Sequence, residues 1–161
     1  MAVTVEKTIY EPWGNCIRVS NGKVELYATV DFGPQIIRFG VVGKHNMFFE
    51  DLQDNVNKDL SAYGVFKGEA WHIFGGHRFW VSPEAEPQSY YPATDPVTYE
   101  LLPDGVILKQ CVQEYTQIAL QMTVTMQDCG TVTVAHQLVN KGAWPVELAP
   151  WALSVMAQRC V

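Results

Sequence analysis

The chain is short of charge. Charged residues fill 17% of its 161 positions and hydrophobic residues 48%, where an ordinary globular domain is roughly a quarter charged. Acidic residues number 17 against 11 lysines and arginines, for a formal net charge of −6. With no basic run to offset this, nucleic acid is excluded as a partner. No apolar run is long enough to span a bilayer, so no membrane partner is expected. The opening residues, MAVTVEKTIYEPWGN, lack the basic and apolar regions of a signal peptide, and the expected location is cytoplasmic. The four cysteines, at positions 16, 111, 129 and 160, form no CxxC pair and lack zinc-site spacing. They are expected to be small buried hydrophobes, and neither a metal nor any other cofactor is expected. G-x-S-x-G, the P-loop and G-x-G-x-x-G are all missing. So is sustained helical periodicity: LQDNVNKDLSAYG is the one place for a short helix.

What the chain has is period-2 alternation, the mark of half-buried strands. In KVELYATVD, Val24, Leu26, Ala28 and Val30 share a face. In IALQMTVTM, Ile118, Leu120, Met122, Val124 and Met126 do the same, and TVTVAHQLV repeats the pattern. Turn signals separate the runs. Asn21-Gly22 is a two-residue hairpin turn, and Pro103-Asp104-Gly105 and Asp128-Cys129-Gly130 mark two more. About ten strands in a meander follow from this spacing, as one all-β domain over residues 1–161. An antiparallel β-sandwich is the expected fold and a closed barrel the alternative. A strand over 146–156 ends in apolar residues and is expected near a sheet edge. Such an edge invites another chain, so a homodimer through an unpaired edge is expected.

The most unusual stretch is FGGHRFWVSPE, residues 74–84. On a strand, His77, Phe79 and Val81 take one face, and Arg78, Trp80 and Ser82 the other. Arg78 beside Trp80 sets a planar cation against an aromatic wall. That suits a hydroxyl-rich or anionic ligand, while a salt-bridged arginine beside a core tryptophan gives the same pattern. Trp71 and His72 precede the two glycines, and a proline- and tyrosine-rich excursion with Glu84, Tyr90 and Tyr91 follows. Glu84 reads as a hydrogen-bond acceptor or base, or as a solvated loop acid. His136 sits on an apolar strand face and reads as a core histidine.

Several stretches taken together, DFGPQIIRFG, NMFFED, IFGGHRFWVSPEAEPQSYYPATDPV and LVNKGAWPVELAPWALSVMA, resemble a family of galactose-mutarotase-like proteins of uncharacterised function. The resemblance covers most of the chain. It implies the β-supersandwich shared with aldose 1-epimerases, with this chain corresponding to its N-terminal half. It also implies a sugar-sized cleft on a concave sheet, with Arg78, Trp80 and His77 delivered by the GGHRFW strand. Trp71, Glu84, Tyr90, Tyr91 and Trp151 would lie nearby. The histidine that protonates the ring oxygen in true epimerases has no counterpart in NKGAWPVELAPWALSVM. The glutamate base expected in the C-terminal half is not evident either, so no catalytic pair is assigned.

Three functional expectations follow. The first is a carbohydrate-binding, mutarotase-like domain for a sugar or sugar acid, without the epimerase pair. The second is an epimerase that uses Glu84 and His77 instead. The third is a module that chiefly self-associates.

Overall fold

The alternating runs become strands, and their turns become the short links between them. The computed structural model describes residues 2–66 and 68–158. Strands β1 (Thr4–Ile9), β2 (Asn15–Ser20), β3 (Val24–Thr29) and β4 (Gln35–Val41) form a meander. Two-residue strands β5 (Asn57–Lys58) and β6 (Trp71–His72) pair with each other, and β7 (Gly76–Ser82) follows. A second meander holds β8 (Thr98–Leu102), β9 (Gly105–Lys109), β10 (Ile118–Met126) and β11 (Val132–Asn140), and β12 (Ala149–Val155) comes last. The place suggested for a helix holds only a 3-10 turn, Ser61–Tyr63.

One sheet has the order β1-β2-β3-β4-β7-β12 and the other β11-β10-β9-β8. Every pairing is antiparallel. The two sheets stack face to face and keep their edges, so the fold is a sandwich and not a closed barrel. β12 is an edge strand, as expected, though it begins at Ala149. Among the described residues, no helix is long and apolar enough to cross a membrane.

The core lies between the sheets. Ile17, Val19, Leu26, Ala28, Ile36, Phe79 and Val81 meet Val106, Leu108 and the inward row of β10. That row, Ile118, Leu120, Met122, Val124 and Met126, is at most 3% exposed, and burying each such side chain contributes about 2 kcal/mol. Asn21 locks one end of the sandwich. Its Oδ1 accepts from the Lys23 and Val24 amides within the hairpin. Its Nδ2 donates to the Asp128 carbonyl at 3.0 Å, in the turn of the opposite sheet.

A third layer covers the outer face of the larger sheet. Leu60, Phe66 and Trp71 form a separate apolar cluster with Ile73, Trp80, Tyr90 and Tyr91. The register between β3 and β4 shifts at Tyr27/Ala28. This bulge adds Ile37, so Gln35 and Arg38 both face outward while Ile36 and Phe39 turn to the core. Arg38 then joins Arg18 and Glu25 in an ion-pair network on that outer face. Of the cysteines, Cys16 is buried as expected, with burial pushing its thiol pKa up to about 12, whereas Cys111 and Cys129 are exposed. Cys160 lies outside the described residues.

Candidate functional site

Strand β7 distributes its side chains as alternation requires. Phe79 and Val81 enter the core, and Arg78 and Trp80 enter the outer layer. The two glycines before it are there for backbone contact. Gly75 and Gly76 have φ of +111° and +63°. A Cβ on them would come within 2.0 Å of the Phe49 carbonyl oxygen and 2.1 Å of the Ile36 carbonyl oxygen. The space beside each glycine is therefore filled by neighbouring chain.

Arg78 is 6% exposed and packs against two indoles that also touch each other, their ring centres 5.4 Å apart. Its guanidinium carbon lies 4.6 Å from the Trp71 ring centre and 4.5 Å from that of Trp80. Trp80 meets Trp151 edge to face across the β7–β12 pair, with ring centres 5.2 Å apart. Tyr90 meets Trp71 in the same way at 5.4 Å. Among the described residues no carboxylate pairs with Arg78. Its Nη1 donates to the carbonyls of His72 and Ile73. Burial pushes its pKa down to about 9, which leaves it charged at neutral pH. Arg78 is thus neither salt-bridged nor open to a sugar-sized groove.

Tyr90 donates to Glu84, and this bond pushes the phenol pKa up to about 12. Lys58 lies 4.3 Å from the Tyr90 ring centre and bonds Glu86, as does Tyr63. These polar contacts fasten the excursion over 83–97 to the segment that carries β5. The five predicted residues Trp71, Arg78, Trp80, Tyr90 and Trp151 are therefore brought together, with Glu84 on their outer rim.

His77 is not among them. It faces the inter-sheet space, where its Nε2 lies 3.0 Å from Nε2 of His136 on β11. Its Nδ1 lies 2.8 Å from Ser154 Oγ on β12. Burial, with His136 beside it, pushes the His77 pKa down to about 4, and burial lowers that of His136. His77 and Glu84 stand on opposite faces of the sheet, so they do not form one acid–base pair. The space beside His77, ≈ 280 Å³, is lined chiefly by Leu26, Phe39, Phe48, Val132, Val134 and Met156, an apolar lining unsuited to polyols.

Tyr91 points elsewhere, into a cleft of ≈ 250 Å³ with Phe66, Glu69, Asp95, Cys111 and Tyr115. Phe66 stands edge-on to Tyr91 and to Tyr115, with ring centres 5.9 Å and 6.1 Å apart. Tyr91 donates to Asp95 at 2.8 Å. Burial, then that bond, raises the phenol pKa. Thr94 donates to Glu69 at 2.6 Å. The Cys111 thiol is pushed up by burial and is unsuited to nucleophilic work. The cleft thus offers three aromatic rings and carboxylates with lone pairs to spare. Phe66 and Tyr115 were not legible as site residues, because they converge only when two loops from different parts of the chain meet. In the sequence Glu69 and Asp95 are two loop acids with nothing local to mark them as partners. Among the described residues, no three His, Cys, Asp or Glu side chains gather as a metal-binding group.

Compared with protein-family models, curated proteins and solved structures, the chain matches none of them.

Proposed function

We propose that this protein is a carbohydrate-binding, galactose-mutarotase-like β-sandwich domain whose ligand occupies the cleft walled by Phe66, Tyr91 and Tyr115. The observation that carries the reading is the pairing of those rings with Glu69 and Asp95 in one open cleft of ≈ 250 Å³. Aromatic rings pack on the C–H faces of a sugar, and carboxylates accept from its hydroxyls. The acids oppose a second negative charge, so a neutral sugar is favoured over a sugar acid. The residue stretches that resemble the mutarotase-like family and the two-sheet sandwich support the same reading. Arg78, Trp71, Trp80, Tyr90 and Trp151 form the rigid layer behind the cleft and hold Phe66 and Tyr91 in place.

Binding is favoured over epimerisation. Mutarotation needs one group to take a proton and another to give one at the same sugar, and His77 and Glu84 are on opposite faces. Calorimetry with a panel of neutral monosaccharides tests the reading. Heat that vanishes in Tyr91→Ala supports it, and no heat across the panel sinks it. Polarimetry on fresh α-sugars tests epimerisation, for which no acceleration is expected.

Self-association is a second reading, favoured by one observation. Trp144, Val146 and Met156 are 80%, 49% and 52% exposed, in the segments that lead into and out of the edge strand β12. An edge strand with exposed apolar neighbours invites pairing with a second copy. Sedimentation that gives a monomer at all concentrations removes this reading.

A further inference from the structure

Ser154 on β12 stands at the end of a hydrogen-bonded line of three side chains. Its Oγ lies 2.8 Å from His77 Nδ1, and His77 Nε2 lies 3.0 Å from His136 Nε2. The three come from different strands, β12, β7 and β11. Register sets the first contact, because Ser154 is the residue opposite His77 in the β7–β12 ladder. The Phe79 ring packs against the far member, its centre 4.8 Å from that of His136. When His77 accepts from the Ser154 hydroxyl at Nδ1, its own hydrogen is on Nε2 and points to a lone pair of His136. That is the order of nucleophile, base and orienting partner by which a hydroxyl is activated.

Ser154 is exposed and His77 half-buried, and both line the apolar groove of ≈ 280 Å³ between the sheets. An acyl group on Ser154 would have Phe39, Phe48, Val134 and Met156 as its wall. The backbone adds donors. The Phe49 amide donates to the Val155 carbonyl, and the Ala157 amide donates to the Met47 carbonyl. Alternate residues of a strand turn their amides to opposite sides. Ser154 and Met156 therefore direct theirs to the open edge of the sheet, where β12 is the last strand. Two amides on the nucleophile's own strand, aimed the same way, are the kind of donors that a developing oxyanion needs.

We propose that Ser154, His77 and His136 form a hydrolytic centre that cleaves esters of short apolar carboxylic acids, with the acyl chain in the inter-sheet groove. Ser154 Oγ attacks the ester carbonyl carbon and gives its proton to His77 Nδ1, while the carbonyl electron pair moves onto oxygen. The tetrahedral intermediate collapses and expels the alkoxide, which takes the proton from His77 and leaves as the alcohol. Water, deprotonated by the same nitrogen, then attacks the acyl-serine, releases the acid and restores Ser154. His136 touches no substrate and is a positioning residue, which accepts from His77 Nε2 throughout. Burial, with His136 beside it, holds the His77 pKa down to about 4. So weak a base favours esters with good leaving groups over amides. The centre shares no residue with the sugar cleft and stands or falls without it.

The probes are para-nitrophenyl butyrate and an alkyl fluorophosphonate, used on the full chain. The expected results are ester cleavage above the buffer rate at neutral pH and, by mass spectrometry, the phosphonyl group on Ser154. Because Ser154 is exposed on an edge strand, Ser154→Ala should melt with the wild type and lose both signals. His77→Gln should slow cleavage about 100-fold or more. Wild-type cleavage should fall away as pH drops toward about 4, where His77 gains a proton. His136→Gln keeps an acceptor for Nε2 but removes the imidazole that helps to hold the His77 pKa down. It should move the acid limb to higher pH, which a merely structural role for His136 would not do. Absence of cleavage, absence of label on Ser154, or either signal undiminished in Ser154→Ala overturns the proposal. An acid limb that stays in place in His136→Gln overturns the role given to His136.

Discussion

His77 on β7 and His136 on β11 meet Nε2 to Nε2 at 3.0 Å, joining the two sheets of the sandwich by their imidazoles. One ring must donate and the other accept, so the pair is satisfied only while at least one ring is neutral. The folded pKa of His77 is about 4, below the ordinary value of about 6.5 in an unfolded chain. Between those values the unfolded chain holds more protons, so stability rises with pH there. The pair's contribution is complete above about pH 6.5 and is lost as pH falls toward 4. Urea unfolding from pH 4 to 7 should show this slope, and His77→Gln should flatten it. Equal slopes in the two proteins would refute the assignment.

Gly76→Ala should be severe. The new Cβ would sit 2.1 Å from the Ile36 carbonyl oxygen at a φ of +63°. Left-handed strain and overpacking together cost about 3 kcal/mol. Thermal melting should fall by many degrees, while Gly43→Ala, where nothing lies within 4 Å, should lose far less.

Trp80→Ala removes the inner wall of the Arg78 stack and its contact with Trp151. The expected loss is about 3–5 kcal/mol, read by chemical denaturation. A loss below about 1 kcal/mol would show that the outer layer collapses freely onto the gap.

Asp95→Asn leaves the cleft's shape and removes a charged acceptor. Sugar affinity should fall about 10-fold to 100-fold, the range for one hydrogen bond to a charged group, with the melting temperature nearly unchanged. Calorimetry and melting on the same sample separate loss of binding from loss of fold.

The local part of this fold was legible in the sequence. Alternation placed the buried row of β10 and put Arg78 and Trp80 opposite Phe79, and Asn21-Gly22 marked its hairpin. These features depend on neighbours within a few residues. What stayed hidden depends on distant partners. His136 read as an ordinary core histidine because nothing near it in sequence announces His77. The extra residue at Ile37 is visible only against β3. The reason for the glycines at 75 and 76 is equally distant, because the carbonyls of Phe49 and Ile36 fill the space beside them. The cleft around Tyr91 required Phe66 and Tyr115 to arrive from separate loops.

The place of β7 in the sheet order bears on how the molecule assembles. β1 to β4 and β8 to β11 are chain-consecutive meanders, each able to form by short loop closures. β7 pairs with β4 across a long excursion and with β12 across the whole second meander. Such closures carry the largest entropic penalty and come late. The layer around Arg78 is therefore a seam, expected to be closed last in folding and to exchange its amides first when the native state breathes.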